Sequence, residues 1–217
     1  MSLQLKNLEQ LIYRLITAPS GVAEGIAVER ERFDALFHAA DDALVGTIPP
    51  TTSFEATVAR LVASVADALR QGDRRVTTRI ARRFVDDALE HLGRNASLLA
   101  RLARHARLGI VSNFYGNLAR VCDDAGIRPL FSVLVDSAQV GCAKPDPRIF
   151  RHALDALGLG PADATFVGDS LSRDMAGART LGMRHIWLVE ETAPAQEPCC
   201  RGDRVIHSLK DLEALLP

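Results

Sequence analysis

Residues 166–174, Phe166-Val167-Gly168-Asp169-Ser170-Leu171-Ser172-Arg173-Asp174, decide the fold. A short apolar run stops at Gly-Asp, a second aspartate follows at Asp174, and a helical pattern runs on from Met175 to Leu181. An apolar run of strand length that feeds a helix is the repeating half of a βαβ unit. The same grammar extends in both directions. Apolar runs lie at Leu108 to Val111, Val133 to Val135, Thr165 to Val167, His185 to Val189 and Arg204 to Ile206. Helical patterns at 98–106, 118–125 and 149–157 separate them. Short apolar strands between helices predict a parallel sheet covered on both faces. The fold class is therefore α/β, a Rossmann-like core over residues 95–217.

Upstream of residue 95 the periodicity is helical throughout. Leu5, Leu8, Ile12, Leu15 and Ile16 recur at helical spacing, which predicts an N-terminal helical segment within residues 1–22. Residues 23–94 read as a helical subdomain. Phe33, Leu36, Phe37, Ala40 and Leu44 mark one helix. Ser53 is the expected N-cap of the next, with Phe54, Val58, Leu61, Val62, Val65 and Leu69 on its apolar face and Gly72 as its stop. Ile80, Phe84, Ala88 and Leu92 give another, predicted to end near Gly93.

Bulk properties narrow the function. The 217 residues are 47% hydrophobic and 24% charged, ordinary values for a soluble globular chain. With 26 basic against 27 acidic residues the net charge is −1, so no global field recruits nucleic acid or an anionic membrane. Arg70, Arg74, Arg75, Arg79, Arg82 and Arg83 read as a solvated helix face, without the interleaved aromatics of a nucleic-acid surface. Cys122, Cys142, Cys199 and Cys200 show neither zinc spacing nor a disulfide framework. Reduced thiols, no apolar run of membrane length and no signal-peptide pattern lead us to expect a cytoplasmic protein.

Chemistry concentrates just beyond three strand ends, where open α/β sheets bind ligands. After Ile110-Val111 come Ser112 and Asn113, a hydroxyl and backbone amides suited to a phosphate oxygen, or simply turn residues. Lys144 lies in Gly141-Cys142-Ala143-Lys144-Pro145-Asp146-Pro147, a rigid entry to a helix. It offers a phosphate a compact positive charge, or is a surface lysine beside an Asp146 N-cap. Asp169 and Asp174 can turn toward one point, as Mg²⁺ requires; alternatively they serve a turn and a helix N-terminus.

Taken together, Ser112-Asn113, Lys144 in Lys-Pro-Asp-Pro, and Gly-Asp-Ser with Asp174 resemble the second, third and fourth motifs of the haloacid dehalogenase superfamily. Residues 95–190 carry the resemblance, and the preceding helices resemble that family's cap. The resemblance implies a Mg²⁺-dependent phosphatase acting on a small phosphorylated molecule. Ser112 and Asn113 would hold phosphoryl oxygens, and Lys144 would pair with the phosphate and the nucleophile. Asp169 would ligate Mg²⁺, while Asp174 would ligate it or position Lys144. A dehalogenase reading gains nothing from these residues.

The family's first motif, Asp-x-Asp-x-Thr after a strand, has no counterpart in the 217 residues. Glu9 is the only acid before Glu24, and Asp41-Asp42 sits in a helical pattern that predicts a helix surface. The resemblance implies a missing central strand between those ending at Val111 and Val167. Three arrangements follow. The flanking strands pair directly, Leu11 to Thr17 substitutes against its helical pattern, or a shortened chain rearranges or pairs as a homodimer. The expected behaviour is little turnover, with a non-catalytic binding or regulatory protein on the same scaffold as the alternative.

Overall fold

The computed structural model describes residues 28–70, 74–189 and 204–215. The expected helix at 5–17, Glu9, Gly72, Cys199 and Cys200 lie outside them. The described chain divides into two compact units. One holds the described residues up to Arg94 together with Tyr115–Gly126, and the other holds Asn95–Phe114 and the described residues from Ile127 onward. The sequence reading keeps 115–126 in the α/β part.

The helical unit begins with α1 (Arg30–Leu44) and α2 (Phe54–Ala68). Phe33 and Phe37 are buried one turn apart on α1, with ring centroids 6.2 Å apart. On α2 the stripe Val58, Leu61, Val62, Val65 is buried as its period demands, and Ser53 Oγ caps the helix by accepting from Ala56 N–H at 3.2 Å. The chain leaves α2 through Arg70, whose φ of 57° places it in the left-handed region that a stop signal at Gly72 would lead one to expect of a glycine.

The third helix, α3 (Arg74–Leu102), corrects the sequence reading. Gly93 does not end it, and no separate helix starts at Leu98. A glycine inside a helix costs only about 1 kcal/mol, and strong formers on either side carry the helix through it. The α3 arginines 74, 75, 79, 82 and 83 are exposed.

Tyr115–Gly126 groups with these helices because polar side chains tie it there. Buried Asn117 donates through Nδ2 to Thr52 O (2.9 Å) and Thr57 Oγ1 (2.7 Å), and Asp124 Oδ2 accepts from Phe54 N–H at 2.8 Å. Helix α4 (Leu118–Asp124) follows Asn117. Asp41 corrects a second expectation: it is half-buried and accepts a hydrogen bond from Tyr115 Oη, because the phenol needs a partner where it is buried.

The α/β unit holds β1 (Gly109–Ser112), β2 (Val133–Asp136), α5 (Ser137–Val140), α6 (Pro147–Leu157), β3 (Thr165–Gly168), α7 (Ala176–Thr180), β4 (Arg184–Leu188) and β5 (Arg204–Ile206). A short 3₁₀ helix, Leu209–Ala214, follows β5. All pairings are parallel. Gly109 faces Val133 in the β1–β2 ladder, while Thr165 faces Arg184 in β3–β4 and Ile186 faces Arg204 in β4–β5. Among the described residues β1 and β3 do not pair with each other, which removes direct pairing from the three arrangements above. Helix α6 packs under both ladders: Ile149, Phe150 and Leu154 share a core with Val111, Val135 and Phe166. Trp187 is buried, as its place in an apolar strand implies. Cys122 and Cys142 are buried free thiols, and no helix among the described residues is long and apolar enough to cross a membrane.

Candidate active site

Lys144 is the centre of the site. Its loop is stiffened by Pro145 and by Pro147 in the first turn of α6, where Asp146 Oδ1 caps the helix through Arg148 N–H at 2.8 Å. The Arg148 guanidinium beside Asp146 holds that carboxyl below its usual range. Lys144 Nζ lies 2.7 Å from Asp174 Oδ1 and 5.8 Å from the Phe166 ring centroid. With the two side chains 13% and 3% exposed, this is a shielded ion pair.

Asp174 belongs to a π-helical turn, Leu171–Met175, opened by Ser170. Such turns re-aim a side chain out of the regular helical register. Here the turn aims Asp174 back at the strand end, where its Oδ2 accepts from Asp169 N–H (3.1 Å) and Ser170 N–H (3.0 Å). Gly168 makes room for it: a Cβ at 168 would come within 2.6 Å of the Asp174 carboxylate. Gly177 serves the same packing from below, since a Cβ there would strike the Phe150 ring at 2.3 Å.

On the other side of Lys144 stands Asn113. Its Oδ1 accepts from Lys144 N–H at 2.7 Å and its Nδ2 donates to Lys144 O at 3.1 Å. Ser112, buried at the end of β1, directs Oγ toward Asn113 O at 3.4 Å. Asp169 is half-buried at the end of β3, and its backbone carbonyl accepts from Trp187 Nε1 at 3.1 Å. The structure thus joins Asn113, Lys144 and Asp174 with the Asp169 and Ser170 amides in one network, and Ser112 adjoins it through Asn113. Phe114 and Tyr115 are both buried. A surface depression of about 510 Å³ lined by Arg74, Arg75, Thr78, Arg79 and Arg82 includes none of the residues of this network.

Sequence reasoning missed Ser137, a buried hydroxyl at the end of β2 that bonds Phe114. The signal available was its position, since Ser137 lies two residues past a predicted apolar strand and Ser112 one residue past another.

The donor set bears on Mg²⁺. Both Asp174 oxygens are engaged, Oδ1 by Lys144 and Oδ2 by two amides. Among the described residues no cluster of three or more His, Cys, Asp or Glu side chains stands ready for a metal. This suits Mg²⁺ only in the form in which it keeps most of its waters and takes one or two carboxylates plus phosphate oxygens.

A family model described as haloacid dehalogenase-like hydrolase matches residues 9–182. A mouse relative, haloacid dehalogenase-like hydrolase domain-containing protein 3, is 40% identical over 114 residues, covering 52% of this chain and 45% of its own. A phosphoserine phosphatase from Thermus thermophilus is 39% identical over 88 residues, covering 41% of this chain and 35% of its own. The chain therefore spans less than half the length of either relative. A crystal structure of a HAD phosphatase from Thermococcus onnurineus superposes with a TM-score of 0.54 at 20% identity, covering 99% of this chain and 88% of that one. The fold, the motif geometry and a family match over most of the sequence agree: the chain belongs to the haloacid dehalogenase-like hydrolases.

Proposed function

We propose that the chain binds a small phosphorylated molecule at the Ser112–Lys144–Asp169 rim in the manner of a phosphatase, and that these 217 residues turn it over poorly. The observation that carries the reading is Lys144 itself: its shielded ammonium is paired with Asp174, and its backbone N–H and C=O are held by the Asn113 carboxamide. A fixed ammonium beside strand-end amides stabilises a phosphate without having to reorganise. Ser112 and the Asn113 amide would donate to phosphoryl oxygens, since the Phe114 N–H is already bound to Ser137 Oγ. The Asn113 carboxamide is committed to the Lys144 backbone, so its part in the site is to hold the lysine.

Asp169 would hold Mg²⁺ together with water and the phosphate, and the ion would neutralise charge on the transferring group. Asp174 serves the lysine. Poor turnover follows from the sequence, which holds no Asp-x-Asp-x-Thr to attack phosphorus.

Calorimetric titration with inorganic phosphate, alongside release of phosphate from an aryl phosphate, tests the reading. Saturable binding that disappears in Lys144→Ala, with hydrolysis near background, is the expected result. Absence of binding contradicts the site. Hydrolysis that Lys144→Ala abolishes contradicts the poor turnover and reveals a nucleophile elsewhere in the chain. Binding without turnover is also what a regulatory phosphate-binding protein on this scaffold would show.

A further inference from the structure

The chain leaving β1 is gripped at two successive residues by side-chain bonds that imitate strand pairing. At Asn113 the carboxamide does the gripping: it takes both the N–H and the C=O of one residue, Lys144. At Phe114 the backbone is gripped. Its N–H donates to Ser137 Oγ at 3.0 Å, and the same hydroxyl donates to Phe114 O at 3.2 Å.

Ser137 sits at the start of α5, placed there by β2, and is 8% exposed; Phe114 is 5% exposed. The hydroxyl has one proton, and Phe114 O receives it. Ser137 is therefore occupied within the protein. Both residues are shielded from water, so loss of the hydroxyl removes a bond that solvent does not readily replace.

The contacts form a continuous line. Ser137 fixes the Phe114 backbone, the neighbouring Asn113 fixes the Lys144 backbone, and Lys144 Nζ meets Asp174, which holds the Asp169 and Ser170 amides. The exits of β1, β2 and β3 are thereby set in register around one ammonium.

We propose that Ser137 is a positioning residue for Lys144. Its hydroxyl fixes the loop after β1 so that the Asn113 carboxamide can hold the lysine where its ammonium serves an anion. The consequence for binding rests on the phosphate reading above; the positioning of Lys144 does not.

The test uses the full chain as wild type, Ser137→Ala and Ser137→Thr, with two readouts: affinity for inorganic phosphate and the Lys144 amide resonance in ¹H–¹⁵N spectra. Ser137→Ala should weaken phosphate binding about tenfold, the worth of one buried hydrogen bond, and move the Lys144 amide resonance. Ser137→Thr, which keeps Oγ, should restore most of both.

Equal losses in the alanine and threonine variants would reduce Ser137 to packing and overturn the proposal. So would an alanine variant with an unmoved Lys144 resonance. If wild type binds no phosphate, the phosphate reading fails, and the Lys144 resonance still decides the positioning. If Ser137→Ala does not fold, Asn113→Ala breaks the next link. It should move the same resonance, and an unmoved one would overturn the proposal.

Discussion

Tyr115 shows how one residue couples burial, charge and pH. Burial first, then the charge and hydrogen bond of Asp41 and the charge of Asp42, raise its phenol pKa well above the ordinary value near 10. The folded chain therefore keeps the proton where the unfolded chain releases it. The stabilisation is complete below the unfolded value and is lost as pH rises beyond about 10. Urea midpoints measured from pH 8 upward should fall more steeply above pH 10 in wild type than in Tyr115→Phe; parallel curves would show that the phenol contributes no such linkage. The pairing was not legible in the sequence, since Tyr115 and Asp41 lie 74 positions apart and no periodicity links them. The grip of Asn113 on Lys144, 31 positions apart, was hidden for the same reason. Ser112 and Asp169 were legible because each stands at the end of a short apolar run, and Lys144 and Asp174 because they lie in the stretches that continue from such ends, which a parallel sheet gathers at one edge.

Among the elements, the strands were the most legible and the helix stops the least. Apolar runs of three to five residues between helical patterns are too short for helices, and that length points to strands. Stops depend on single residues whose cost is small. Gly93 lies exposed inside α3, and a Cβ there meets nothing within 4 Å. Gly93→Ala should therefore raise stability by about 1 kcal/mol, read as a higher urea midpoint at unchanged slope. A lower midpoint would mean that the helix needs the glycine. The π-helical turn at Leu171–Met175 had no sequence signal either. Its effect is to swing Asp174 onto the strand end, where the carboxylate meets Lys144 and the Asp169 and Ser170 amides.

At the scale of the whole molecule, two parallel ladders and the helix beneath them bring distant stretches of sequence to one ammonium. Among the described residues the ladders stay separate, with β1 paired to β2 and β3 to β4. What the fold does join is the lysine loop to both strand ends, through Asn113 and Asp174. The central claim is that these ends form one anion site. Titrating inorganic phosphate into ¹⁵N-labelled chain tests it most directly. The account predicts that the amides of Asn113, Phe114, Lys144, Asp169 and Ser170 shift together along a single saturating curve. Shifts confined to the α3 arginines, with those five amides unmoved, would contradict it.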